Sequence, residues 1–326
     1  MLSGATGLVG SFLVDLIMYM NKHLNLGTRV IALGRSKERI LNRFSYIQEE
    51  GLSNCIIPVE QDVNKPFSKE LLSMEADYIL HLASNTHPLQ YSEDPIGTVT
   101  TNIIGTSNML EAGVAMKASR LVFTSSVEVY GENRGDTDKF DENYLGYINC
   151  NTLRAGYPES KRAGEALCQA YIKQKGLDIV LPRLSRTYGP TMLKTDSKAI
   201  SQFIKKGVAS EDIILKSEGT QFYSYSYVAD AVSGILYCMF LGGCGEAYNI
   251  ADDGSDITLR DMAKVIAEYT GHKVVFELPD EKERAGYSTA TKAILDGTKL
   301  KALGWTPLYN MGDGLERTID ILKELD

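Results

Sequence analysis

No stretch of this 326-residue sequence is apolar for long enough to cross a bilayer, and no basic-then-apolar leader opens it. Lys and Arg are scattered rather than blocked, and the formal net charge is −8, which argues against a nucleic-acid surface. An anionic small ligand would have to be met by a few local arginines. The five cysteines (Cys55, Cys150, Cys168, Cys238 and Cys244) are odd in number and lack C-x-x-C spacing, so they read as reduced thiols of a cytoplasmic protein. The four histidines include no H-E-x-x-H pair, and no metal site is predicted. Internal repeats and low-complexity tracts are missing too. What remains is a chain long enough to bury a large core, as one α/β unit or two closely joined domains.

The first informative stretch is Ser3-Gly4-Ala5-Thr6-Gly7-Leu8-Val9-Gly10, followed by an apolar helical run from Phe12 to Met20. Glycines at 4, 7 and 10 allow a tight turn, close approach of backbone to a pyrophosphate, and close helix packing. A helix starting there offers free N–H groups and a positive dipole end to phosphates. Only Met1 and Leu2 precede the loop. Most of the expected first strand is therefore missing, which points to a trimmed chain or a displaced start.

Residues 28–34 read as a second strand. Where a dinucleotide fold usually places an acidic residue for the adenosine ribose, this sequence has Arg35 and Ser36. An arginine there suits a 2′-phosphate and leans toward NADP; a surface arginine in a turn is the plain alternative. Residues 54–59 form a third strand, with Asp62 and Val63 after it, where an adenine would lie. Residues 77–82 form a fourth, running into Ala83, Ser84, Asn85 and Thr86. Residues 95–117 look helical, with Asn102 and Gly105 inside. Residues 120–126 form a fifth strand ending in the hydroxyls of Thr124, Ser125 and Ser126. A helix over 157–175 and a strand over 177–184 follow. The alternation predicts a doubly wound parallel sheet with ligands at the C-terminal strand edge.

Beyond residue 184 the pattern loosens. Residues 185–190 read as a turn, followed by a helix near 197–207. An aromatic run (Phe222, Tyr223, Tyr225, Tyr227) reads as a half-buried strand. A helix over 228–241, a strand over 246–251 returning to the main sheet, and amphipathic helices over 257–270 and 312–325 complete the chain.

Residues 154–161, Arg-Ala-Gly-Tyr-Pro-Glu-Ser-Lys, open the 157–175 helix, where Pro158 is tolerated because a first turn needs no N–H from it. Tyr157 and Lys161 are four apart on one face. An ammonium beside a phenol favours the phenolate, which would lower the tyrosine pKa and make it a usable general acid/base. The plain alternative is a solvated lysine beside a half-buried tyrosine.

Taken together, S-G-A-T-G-L-V-G, Ser126 at a strand end, Y-x-x-x-K, R-x-x-x-x-Y-G-P (Arg183 to Pro190), Tyr227-Val228-Ala229-Asp230 and Leu303-Gly304-Trp305-Thr306-Pro307 resemble the extended short-chain dehydrogenase/reductase family. Within it they are similar to the nucleotide-sugar epimerase/dehydratase group. The resemblance covers nearly the whole chain. It implies a Rossmann-type α/β fold with a smaller, discontinuous α/β substrate domain: residues 1–182 with about 222–251 for NAD or NADP, and 183–221 with 252–326 for the sugar nucleotide. It also implies a catalytic hydroxyl at Ser126, a base at Tyr157 and a lysine at Lys161 that also holds the nicotinamide ribose. Gly4, Ala5, Thr6, Gly7, Leu8, Val9, Gly10, Asp62, Val63, Leu82, Ala83, Ser84, Thr86, Asn102 and Thr124 match positions lining the dinucleotide. Helices near 95–117 and 157–175 correspond to those that pair in family homodimers.

The stretch Ser126 to Gly131 separates the subfamilies. The dTDP-glucose 4,6-dehydratases carry Asp-Glu where this sequence has Val127 and Glu128. UDP-glucuronate decarboxylases keep the Glu without that Asp, and their Arg-Ala-x-Tyr-x-Glu-x-Lys-Arg segment parallels Arg154 to Arg162. Glu128 sits two residues past Ser126, so both face one side if the strand continues. That would make Glu128 the group working at sugar C5 or C6; a solvated carboxylate is the alternative. Two positions depart from the family's pattern. Its Asn before T-Y-G-P is Arg186 here, and its diphosphate-binding Arg is Tyr223, while Arg284 aligns with a second such arginine. The leading expectation is transient oxidation at C4 of a nucleotide sugar. An NADPH reductase of a ketosugar or other carbonyl is one alternative, and an idle dinucleotide-binding sensor or scaffold is another.

Overall fold

The computed structural model describes residues 1–86, 93–277 and 291–325. Seven strands form the spine of the large sheet, in the spatial order β11-β7-β5-β4-β1-β2-β3. They are β1 (Leu2–Ser3), β2 (Val30–Gly34), β3 (Ile56–Glu60), β4 (Tyr78–His81), β5 (Arg120–Phe123), β7 (Ile179–Leu184) and β11 (Ala247–Ile250). A short β6 (Ser125–Ser126) also pairs with β7, and every pairing in this sheet is parallel. The order reverses at β1, so the crevice beside β1 and β4 is the topological switch point where such sheets bind ligands.

β1 keeps only two residues, yet it is central: Leu2 pairs with Ala32 on one side and Leu80 on the other. Helix Leu8–Leu24 returns the chain to β2, burying Gly10, Leu13, Val14 and Met18 at helical spacing against the sheet. Asn21 then closes the turn: its amide donates to the Thr28 carbonyl at 2.7 Å and accepts from the Thr28 N–H at 2.8 Å. The face of β5 needs close packing as well. A Cβ at Gly164 would lie 2.5 Å from the Phe123 ring, so the glycine lets helix Gly156–Lys175 seat directly on β5.

Three expectations are corrected. The 95–117 helix is interrupted: Pro95–Thr100 and Thr106–Ala115 flank a π-helical turn at Thr101–Gly105. The extra residue of that turn rotates Asn102 into the interior, where it is 1% exposed. The 185–190 segment is a strand rather than a turn, because β8 (Arg186–Tyr188) pairs in parallel with β10 (Phe222–Tyr227). The aromatic run on β10 is buried, since β10 is the middle of a smaller sheet with β12 (Asp256–Thr258), β14 (Lys292–Ala293) and β8 around it. Helices Leu259–Thr270 and Met311–Leu325 cover that sheet with their apolar faces. The two sheets meet through hydroxyls and carbonyls: Ser185 Oγ lies 2.7 Å from Ser226 Oγ, and Thr191 donates to the Leu8 carbonyl at 2.7 Å.

Candidate active site

The glycine loop leaves β1 and enters helix Leu8–Leu24 at the switch point. Gly4 has φ +73°, and a Cβ on it would sit 2.8 Å from the Ala83 backbone nitrogen. A Cβ on Gly10 would lie 2.2 Å from the Gly4 carbonyl oxygen. Both positions thus require glycine, one for its backbone conformation and one for close approach. Gly7 is the helix N-cap, has no side chain to occupy the first N–H groups, and is followed by no acidic residue in the first turn. Ala5, Thr6, Leu8 and Val9 complete a cradle of backbone donors that fits a pyrophosphate. Ser3 anchors the cradle from below, accepting the Ala83 N–H at 3.2 Å with His81 Nδ1 2.8 Å away. Burial, reinforced by the charge of Lys161, drops His81 to about 3, so that imidazole stays neutral.

Around this cradle the other dinucleotide candidates take up the strand ends. Arg35 follows β2 and is exposed, and among the described residues its guanidinium has no partner. Ser36 is committed locally, capping helix Lys37–Arg43 by accepting from the Arg39 N–H at 3.2 Å. Asp62 and Val63 lie past β3; Asp62 holds the Asn64 N–H at 2.9 Å, and Val63 is buried beneath Gly105. Leu82, Ala83, Ser84 and Thr86 run half-buried from the end of β4.

Ser84, Ser126 and Tyr157 converge. Both serine hydroxyls hydrogen-bond the Tyr157 phenol, drawing on β4, β6 and helix Gly156–Lys175 respectively. The phenol is positioned further by a chain of side chains. Ser84 donates to Asn102 Oδ1 at 2.7 Å, the Asn102 amide donates to Ser160 Oγ at 2.9 Å, and Ser160 donates to the Tyr157 carbonyl at 2.9 Å. Lys161 is 3% exposed, donates to the Thr124 carbonyl at 2.8 Å, and stands 5.9 Å from the Tyr157 ring centroid.

Here the electrostatic expectation fails. Burial pushes Tyr157 up to about 12; the Ser126 hydrogen bond opposes that, Glu128 adds to it, and Ser84 and Arg154 oppose it. Lys161 itself is pulled down to about 8 by burial, against the attraction of Glu165. In so enclosed a place, desolvation is the largest influence on both groups.

Glu128 is close to this centre by another route than strand alternation. β6 ends at Ser126, and Val127–Tyr130 is a 3₁₀ turn whose second residue donates its N–H to Ser126 Oγ at 3.3 Å. Arg154 fixes the carboxylate, donating from Nη2 to both oxygens at 2.9 and 3.0 Å. Arg154 was not singled out from the sequence, although it stands three residues before Tyr157 in the segment that was. Ser160 also escaped notice, because a serine inside a helix gives no pattern of its own.

The substrate-side candidates split. Arg186 and Tyr223 meet, with the guanidinium 3.6 Å from the ring centroid. Arg284 lies outside the described residues. Arg183, by contrast, is structural: it pairs with Glu165 at 2.7 Å and donates to Tyr130 Oη at 2.9 Å.

A backbone cradle for a pyrophosphate, beside a Ser–Tyr–Lys cluster at a switch point, is an arrangement for hydride and proton transfer on an alcohol carbon. Comparison with known proteins agrees. UDP-glucuronic acid decarboxylase 5 of Arabidopsis thaliana is 32% identical over 321 residues, 97% of this chain and 86% of that protein. UDP-glucuronic acid decarboxylase 1 of Xenopus tropicalis is 31% identical over 332 residues, 100% of this chain and 72% of that protein. Among solved structures, the UDP-glucose 4-epimerase of Thermotoga maritima with UDP-glucose has a TM-score of 0.82 at 23% identity, covering 99% of this chain and 98% of that one. The dTDP-glucose 4,6-dehydratase of Streptomyces venezuelae, in a double mutant with NAD bound, has a TM-score of 0.82 at 22% identity over 99% and 96% of the two chains. These two likenesses speak to the fold. Residues 1–251 match the family model itself, and with relatives this similar over their length the chain belongs to the NAD dependent epimerase/dehydratase family.

Proposed function

We propose that this enzyme oxidises C4 of a UDP-linked uronic acid and releases the C5 carboxyl group as carbon dioxide. The observation that carries the reading is Glu128, fixed by Arg154 within electrostatic reach of the Tyr157 phenol; the relatives that match the whole chain point the same way. A nicotinamide dinucleotide seated on the glycine cradle supplies the hydride acceptor.

The chain's own residues handle the protons. Tyr157, as phenolate, takes the C4 hydroxyl proton while the C4 hydride departs, and Ser126 hydrogen-bonds the C4 oxygen as it becomes a carbonyl. The Ser126 hydroxyl and the Arg154 charge favour that phenolate against the pull of burial. The 4-keto sugar is a β-keto acid. When the C5–C6 bond breaks, its electron pair flows to the C4 oxygen, where Ser126 and Tyr157 donate hydrogen bonds. C5 then takes a proton that comes from solvent and is relayed by Glu128, hydride returns to C4, and Tyr157 gives its proton back to the C4 oxygen. Lys161 holds the ribose side of the site and keeps Tyr157 oriented through the shared helix. Arg35, exposed at the end of β2, tilts the cofactor preference toward NADP. Exposed Ile96, Ile103 and Ile104 beside the π turn support pairing of two copies through these helices.

Tyr157→Phe should abolish turnover of UDP-glucuronate while leaving cofactor affinity within about twofold. Glu128→Gln should still let the sugar reduce bound cofactor, seen as nicotinamide absorbance, yet stop the later step, so that the reduced cofactor accumulates instead of being reoxidised. Normal turnover by Glu128→Gln would make Glu128 structural and leave a 4-epimerase or a reductase as the better reading.

A further inference from the structure

Of the half-buried arginines among the described residues, the Arg186 guanidinium is the exception. Arg183 is saturated by Glu165, Tyr130 and the Glu142 carbonyl. Arg120 reaches Asp178 and the carbonyls of Met239 and Gly242. Arg162 takes the carbonyls of Val129 and Gly146. Arg186 lies flat on the Tyr223 ring, 3.6 Å from its centroid. Among the described residues no acceptor reaches it, although its Nη1 is shut away from solvent. Stacking satisfies the face of a guanidinium and leaves its edge of N–H donors unspent. A permanent cation with a buried, unused Nη1 is a standing cost in the free protein, which an anionic oxygen would relieve.

Its place in the fold sets it close to the Ser126 strand end in sequence and pairing. Ser126 on β6 pairs with Leu184, the last residue of β7. Arg186 opens β8 two residues further along the same chain direction, beyond the Ser126 edge, and Tyr225 of β10 pairs with it. Ser185, between them, is pinned to Ser226 at 2.7 Å, so the step from β7 to β8 is fixed. Tyr223 is 5% exposed and held within the smaller sheet, which makes its ring a rigid seat.

We propose that Arg186, seated on Tyr223, is the element that recognises an acidic oxygen of the sugar nucleotide and so sets substrate specificity. The oxygen comes either from the sugar carboxylate or from the diphosphate. The proposal rests on the nucleotide-sugar reading above and adds to it the residue pair that reads the anion. The two positions at which the sequence departs from its family's pattern thereby act as one unit, with the ring on β10 holding the charge on β8.

Titration calorimetry with UDP, UDP-glucose and UDP-glucuronate, in the presence of NAD, tests this on the wild-type protein and on Arg186→Met, Arg186→Lys and Tyr223→Leu. Arg186→Met should lose at least about tenfold in affinity, which is the size of one charge-assisted hydrogen bond. A loss confined to UDP-glucuronate identifies the carboxylate as the source; an equal loss for all three ligands identifies the diphosphate. Arg186→Lys, with charge but no planar fork, should recover part of the loss, and Tyr223→Leu should show an intermediate one. Should Arg186→Met fail to bind NAD, and so be misfolded, the Lys and Leu variants decide alone. Wild-type affinity for all three ligands in the folded variants overturns the proposal. A wild-type protein that binds none of the three overturns the nucleotide-sugar reading, and this proposal with it.

Discussion

Lys161 shows how a single buried charge can work against the fold that holds it. Its folded-state pKa of about 8 lies below the ordinary 10.5, so burial disfavours the ammonium. Between those values the unfolded chain binds more proton than the folded one, and stability therefore rises with pH across that window. The penalty is complete below about 8 and absent above about 10.5. Lys161→Met should thus stabilise the protein at pH 7 by about 1–2 kcal/mol, after allowing for the lost bond to the Thr124 carbonyl. Turnover should be lost at the same time. Thermal melts of both proteins from pH 7 to pH 10 check the sign: the gap between them must shrink as pH rises. Tyr157 and Lys161 were both legible in the sequence from their spacing, but their titration was not. Spacing reports that two groups are near, whereas burial from β4, β5 and the following helix decides which protonation state wins. Arg154 and Ser160 were not legible for a related reason, since their partners Glu128 and Asn102 lie 26 and 58 residues away.

At the scale of elements, the glycine loop, the Y-x-x-x-K helix and the parallel strands were readable because each is set by local chemistry: glycine at a crowded turn, proline in a first turn, β-branched runs between them. Elements set by partners were missed. β8 is a strand because β10 offers it a ladder, and the π turn exists because Asn102 finds Ser84 and Ser160 inside. The strand end after β2 was readable only in outline. Arg35 emerges there exposed, while the Glu60 carboxylate on neighbouring β3 accepts the Lys37 N–H at 3.2 Å. A 2′-phosphate would meet one cation and one anion at this edge, so the NADP preference we propose is a modest one. NADP should bind about two- to tenfold more tightly than NAD, and Arg35→Ala should reverse or erase that difference by weakening NADP alone. Fluorescence titration of both dinucleotides measures it. Equal affinities unchanged by the substitution would remove Arg35 from the site.

For the whole molecule, the large sheet carries the glycine loop, and the smaller sheet carries Arg186 and Tyr223 on its paired strands β8 and β10. Assignment of residues 1–182 with about 222–251 to one domain remains our proposal; Phe222–Tyr227 hydrogen-bonds in the smaller sheet, while Ala247–Ile250 joins the large one. No helix among the described residues is long and apolar enough to cross a membrane. Ile96 is 77% exposed and Ile104 44%, an apolar face on the same helical run that carries Asn102. Two copies packed face to face there would cover it. Light scattering at micromolar concentration should report about twice the chain mass, and Ile96→Glu with Ile104→Glu should halve it; a wild-type monomer would sink the idea.

The π turn at Thr101–Gly105 is where those two roles touch. One side of it points Ile103 and Ile104 outward, and the other sends Asn102 inward to the relay that ends on Tyr157. Were two copies to pair through these isoleucines, the proposed interface and the relay to Tyr157 would rest on the same five residues, and a change at one would be felt at the other.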